Sequence, residues 1–371
     1  MTETLQELLH AEATRVDVPP LHTDVLMKRG RSIRRRRRTV AGLAALGLLA
    51  VAGGGTAVTV AALRTSEDAV TFSATRYQEE GALAVDSELY VAGKHIPFDE
   101  AVKSFEYTSA GTVVRSGTSP WTDDADVDHY TLVKPDGTRQ QVDLTTNDRV
   151  VATEPDSTHL AYAEPNGDRW DLVVMDLESG DELVRATVDG TFTWGGWEAP
   201  PVALDGDLVW AHFDDGWTEL NWRSGAVRAV PGTQRVYEVE NGKYAVQGRD
   251  GTWTVRSMET GKRLARIELA TNWYGMFSPD GSRMKFFDQD EGMPGTESTP
   301  PFVYDVATGK HTTIPGKAWE FGWTPDGDLL TIDDGDVQTC ALPGGQCFPT
   351  GVTLDVGKDS VVKLGGNPYE S

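Results

Sequence analysis

The chain has 371 residues and carries 34 Lys and Arg against 57 Asp and Glu, a net charge of -23, with 39% hydrophobic and 25% charged residues. That balance excludes a disordered chain and is enough for a buried core. From Arg64 onward there are 25 basic and 52 acidic residues, a net of -27, which repels phosphate backbones and argues against nucleic acid as a partner.

The first element in chain order is a basic arm, residues 1–38, with nine Lys and Arg against five Asp and Glu. Thr4 with Glu7 fits a helix capping box, and Leu5, Leu8, Leu9 and Ala13 can share one helical face. Pro19 and Pro20 end that helix, and a second helical run from about Thr23 leads into Lys28, Arg29, Arg31 and Arg34 to Arg38.

Residues 39–63, from Thr39 to Leu63, are 25 uncharged residues, long enough as a helix to cross a hydrocarbon core about 30 Å thick with some tilt. The arginines stand before it and only Arg64 follows closely, so the positive-inside rule puts the N-terminus in the cytoplasm and the large C-terminal part outside. The rival is a cleaved export signal, with a peptidase site among the small residues Val60 to Ala62; the apolar stretch is longer than such signals usually carry.

The layout of the arm resembles the short cytoplasmic arms of bacterial membrane-anchored anti-sigma factors. That resemblance implies a cytoplasmic regulator, such as a sigma factor, as a partner. The zinc-type members carry a His and a Cys pair, whereas this arm has His10 and His22 and no Cys, so no zinc site is expected. The alternative is an arm that only fixes topology and touches anionic lipid through its arginines.

After a linker, residues 64–75, the chain from residue 76 to 371 consists of short β-rich runs between turn signals, the pattern of an all-β domain. One turn motif is an aromatic followed by Ser/Thr-Pro-Asp-Gly: Phe277 to Gly281 and Trp323 to Gly327, each with a Trp four residues ahead, Trp273 and Trp319. Pro presets φ, Asp can bond its own backbone and Gly closes the turn. Degenerate copies occur at Glu154 to Ser157, Asp205 to Gly206 and Asn241 to Gly242.

The second motif is a polar residue, two variable residues, Ser/Thr and Gly, at Asp176 to Gly180, Asn221 to Gly225, Ser257 to Gly261 and Asp305 to Gly309. It reads as a hairpin with Gly in the left-handed region. With Gly345 added, these glycines are 45, 36, 48 and 36 residues apart, the length of one four-stranded propeller blade.

These repeats resemble those of WD-type or TolB-like β-propellers over most of the chain, although neither the Gly-His nor the Trp-Asp pair of WD repeats recurs in register. Divided into the residues after the linker, the glycine spacing gives about seven blades of four antiparallel strands. The resemblance also implies ring closure by a strand near one terminus, with Val352 to Val356 or Val361 to Leu364 beside the strands around Leu83 to Val91.

Among residues that could carry chemistry, Cys340 and Cys347 bracket a hairpin turn and are expected to pair as a small-loop disulfide. Asp124, Asp126 and Asp128 have the alternate spacing that begins a calcium loop, but His129 and Pro135 stand where an EF-hand needs Gly and Glu. A solvated acidic loop is the simpler reading. His95, His129, His159, His212 and His311 fall in different blades, and no nucleophile elbow accompanies them. Trp194, Trp197, Trp210, Trp217 and Trp222 are grouped closely enough to form either inter-blade packing or an exposed binding patch.

The sequence thus predicts a single-pass membrane protein whose outer propeller binds an envelope protein, peptide or glycan, without catalysis or cofactor. The alternatives are transmembrane signalling through the arm and a propeller hydrolase or lyase with its site in the central channel.

Overall fold

In a computed structural model the described residues are 73–121, 127–144, 151–193, 199–233, 236, 238–269, 273–288 and 300–366. Residues 1–72, which hold the arm, the apolar stretch and most of the linker, lie outside them. Among the described residues no helix is long and apolar enough to cross a membrane.

The alternating runs and turns of the C-terminal part form seven antiparallel sheets of four strands each, the blades of a β-propeller. The innermost strands are Val362–Leu364, Ala101–Thr108, Ala152–Thr153, Val202–Asp205, Val239–Glu240, Trp273–Phe277 and Phe321–Trp323, for blades 1 to 7 in turn. Blade 1 takes its inner strand from the C-terminal end and its other three, Ala82–Val85, Glu88–Val91 and Lys94–Pro97, from the beginning. Leu364 pairs with Leu83 and Val362 with Val85. Of the two closing segments the sequence allows, the ring uses the later one, because Val352 belongs to the outer strand of blade 7, Gln346–Thr353.

Both turn motifs do what their residues dictate. At the third-to-fourth strand turns the amide of Gly180, Gly225, Gly261 and Gly309 donates to the carbonyl of the polar residue four positions earlier, at 2.8 to 2.9 Å. These glycines have φ between 64° and 77°, a region that side chains other than Asn and Asp rarely enter. The polar side chain caps the turn: Asp176 Oδ1 accepts from the amides of Glu178 and Ser179, and Asp305 Oδ1 from that of Thr308. In blade 7 the corresponding residue is Ala341, which has no side chain to cap with. There Cys340 and Cys347 face each other across the strand pair and are joined by a disulfide.

The core lies between blades, where apolar side chains of adjacent sheets meet. Val174, Val188, Leu204, Val209 and Phe213 fill the space between blades 3 and 4, and Trp253, Ile267, Met284 and Phe286 that between blades 5 and 6. At the seam, the Tyr107 hydroxyl donates to the Trp323 carbonyl at 2.8 Å and accepts from the Ala82 amide at 2.9 Å, tying blade 2 to blades 7 and 1. Residues 73–80 are helical and dock beside that seam. Tyr77 is buried there and donates to the Gly111 carbonyl at 2.8 Å, while Arg76 pairs with Glu80 at 2.6 Å and donates to the Thr350 carbonyl at 3.0 Å.

Candidate functional site

All inner strands run the same way round the ring, so every turn from a first to a second strand opens on the same mouth of the central channel. These are the Pro-Asp-Gly turns and their degenerate copies. They interlock from blade to blade. Glu154 of blade 3 accepts from the Gly206 amide of blade 4 at 2.5 Å, the Asp205 carboxylate lies against Gly242 of blade 5, and that of Asp280 against Gly327 of blade 7. Gly242 has φ 63°, and a Cβ there would displace the Asp205 carboxylate, so glycine fits best.

The interlock brings carboxylates together near the axis. Glu106 and Glu240 are half-buried, Glu154 is buried, and the charges of Glu106, Glu238, Asp280 and Glu154 all press on Glu240. Burial, reinforced by this repulsion, pushes Glu240 well above the usual carboxylate range. Burial alone pushes Glu106 to about 8. It pushes Glu154 to about 7 against the hydrogen bond from Gly206, with the Asp205 charge adding to the rise. Glu238, half-buried like Glu106, bonded to the Phe277 amide at 3.0 Å and eased by Lys285, also rises to about 7. Near neutral pH this mouth is therefore a reservoir of protons and partial negative charge.

The residues singled out from sequence lie elsewhere. Asp124 and Asp126, with Trp194 and Trp197, fall outside the described residues. Asp128 corrects the reading of a solvated or cation-binding loop: its carboxylate is fully buried in blade 2, 3.0 Å from Lys103 Nζ and 2.6 Å from Arg115 Nη2. Two side-chain cations already hold both oxygens. Among the described residues no three His, Cys, Asp or Glu side chains are placed to hold a metal ion.

Of the two readings of the tryptophan group, the exposed patch is corrected and inter-blade packing holds for the three described members. Trp210, Trp217 and Trp222 are 0%, 2% and 6% exposed and form no surface patch. Each buries its indole between sheets and satisfies its N–H internally, on Glu219 Oε2 at 3.0 Å, the Val236 carbonyl at 2.7 Å and the Gly206 carbonyl at 3.0 Å. The described histidines stay in separate blades. His212 is buried flat against Trp217, its ring centroid 4.8 Å away, and burial lowers it to about 4.

The channel carboxylates, by contrast, were not singled out from sequence. The available signal was an acidic residue directly before a tight turn, at Glu154, Asp205 and Glu240. Its meaning emerges only when the turns are brought round one axis.

No family model and no curated protein matches the chain. Solved structures similar to it include a chain of the mitotic checkpoint complex, at 13% identity over 76% of this chain and 83% of that one with a TM-score of 0.42. Hsv2 of Kluyveromyces lactis is similar at 14% identity over 65% and 73%, with a TM-score of 0.40, and hydrazine synthase of Kuenenia stuttgartiensis at 13% over 67% and 79%, with a TM-score of 0.40. The seven-bladed architecture rests on the strand order itself.

Proposed function

We propose that this chain is a non-enzymatic binding module of the cell envelope, anchored by Thr39 to Leu63 as a single span with residues 1–38 inside and the propeller outside. The observation that carries the binding reading is the acidic mouth, where Glu106, Glu154, Glu238 and Glu240 from three blades crowd together. A cationic group placed there relieves their mutual repulsion and lowers their proton affinity. The fitting partner is a protein or peptide that presents Lys or Arg to the mouth. The anchor is supported by the length of the uncharged stretch and the arginines before it.

The test is affinity recovery of the full-length chain from mild-detergent membranes, beside a variant carrying Glu106→Gln and Glu240→Gln. A partner with basic segments that is recovered with the wild type and lost with the variant supports the reading. A partner retained by the variant but lost on deletion of Met1 to Arg31 moves the function to the cytoplasmic arm. Extraction of the chain from membranes by alkaline carbonate would overturn the anchor.

The same carboxylates favour a second reading, a channel hydrolase or lyase, because a carboxyl group that titrates near neutrality is a competent general acid. Turnover of glycan or peptide substrates that disappears in Glu106→Gln would establish it.

A further inference from the structure

We propose that the outer cleft between blades 4 and 5 is a binding site for a small oxyanion-bearing ligand, a carboxylate or a phosphate. The cleft has a volume of about 590 Å³, within the range of small-ligand pockets. It stands apart from the acidic mouth and does not depend on the membrane anchor.

The two faces of blade 5 differ. One carries Trp253, Val255 and Ile267 into the core shared with blade 6. On the outer half of the other, Thr252, Thr254, Arg256 and Arg266 line the cleft together with Tyr244. Register places Thr254 beside Arg266 and Tyr244 beside Arg256, and a bulge between Val255 and Arg256 shifts the pairing there. The opposite wall is Pro231 and Gly232, which offer little side chain to fill the gap. A polar, cationic surface thus stands where propellers ordinarily bury apolar side chains between blades.

Charge makes the ligand class specific. Lys243 to Arg266 contain six Lys and Arg and two Asp and Glu, in a domain whose net charge is -27. Outside blade 5, each described arginine lies within 4 Å of a carboxylate except Arg139, which lies over the ring of Phe98. Arg249, Arg256 and Arg263 have no such partner among the described residues. Arg256 donates one Nη to the Gly261 carbonyl at 2.9 Å, and Arg266 has a single 3.4 Å contact with Glu268. Asp250 also rims the cleft; its carboxylate accepts from the Thr252 amide at 3.1 Å and its charge acts on Arg266, so a ligand oxyanion competes with it there. Two guanidinium forks beside two hydroxyls form a donor set suited to a planar or tetrahedral oxyanion.

The test is calorimetric titration of the full-length chain in detergent at low salt with inorganic phosphate, with citrate and with trigalacturonate. Saturable binding of at least one is expected, and the tighter binder identifies the group. Arg266→Gln and Arg256→Gln should each weaken it about tenfold or more, the usual scale for losing a charge-assisted pair, while Arg249→Gln plus Arg263→Gln leaves it within about twofold. Arg266 is exposed, so its variant stays informative should Arg256→Gln not fold. The absence of saturation with all three probes, or equal losses in the cleft variants and the double control, would overturn the proposal. Loss of partner recovery in the mouth variant with phosphate or citrate binding intact would separate the two readings.

Discussion

Blade 2 and the channel mouth handle the same chemical problem in opposite ways. In blade 2 a carboxylate is taken fully out of water, and Asp128 is matched by Lys103 on one side and Arg115 on the other. At the mouth, burial raises Glu106, Glu154, Glu238 and Glu240, neighbouring carboxylates press further on Glu154 and Glu240, and the burial is accommodated by holding protons. A buried charge can be neutralised by a countercharge or by protonation, and only the second makes the region sensitive to pH and to an incoming cation.

The comparison breaks most severely at Asp128. Asp128→Ala leaves Lys103 and Arg115 buried without their anion and should cost about 3–5 kcal/mol, read as a lower urea midpoint. At the mouth, pH is the lever. The folded-state values of Glu106, Glu154 and Glu238, about 8, 7 and 7, lie above those of an unfolded chain. The stabilisation by their protonated forms is complete below pH about 4.5 and is lost as pH rises through 7 to 8. A thermal melt should accordingly show higher stability at pH 5 than at pH 8; a profile that is flat or rises towards pH 8 would break the contrast.

Removing one mouth charge sharpens it further. Glu240→Gln should stabilise the chain more at pH 8 than at pH 5, and the same denaturation series measures both. The smallest effect belongs to an ion pair in water. Arg169 and Asp189 are 2.6 Å apart but 46% and 87% exposed, so Asp189→Ala should move the midpoint by less than about 0.5 kcal/mol.

How much of this could be read from sequence depends on the range of the interaction involved. The hairpin at Asp176 to Gly180 was legible because its capping side chain, its left-handed glycine and its 2.8 Å bond all lie within five residues. Repetition of that unit revealed the blades and their number. Asp128 was misread because its partners Lys103 and Arg115 sit on two other strands of the same sheet, beyond the reach of the run of aspartates around it. Trp210 carried a usable hint, since it lies inside the apolar run Leu208 to Ala211, and of the two readings of the tryptophan group it is inter-blade packing that Trp210, Trp217 and Trp222 follow. The acidic mouth left only a weak local mark, an acidic residue before a tight turn at Glu154 and Glu240, because its members come one or two at a time from blades 2, 3 and 5.

The closure of the ring has a consequence in time as well as in space. Blade 1 cannot be completed until Val362 to Leu364 have been made, since they supply its innermost strand and the Gly365 carbonyl that accepts from the Trp323 amide at 2.6 Å. A nascent chain that has emerged as far as blade 7 still lacks its keystone. Tyr107, bonded to both sides of the seam, can make its full set of bonds only when blade 1 is completed, so these contacts report closure of the ring and not the formation of any single blade.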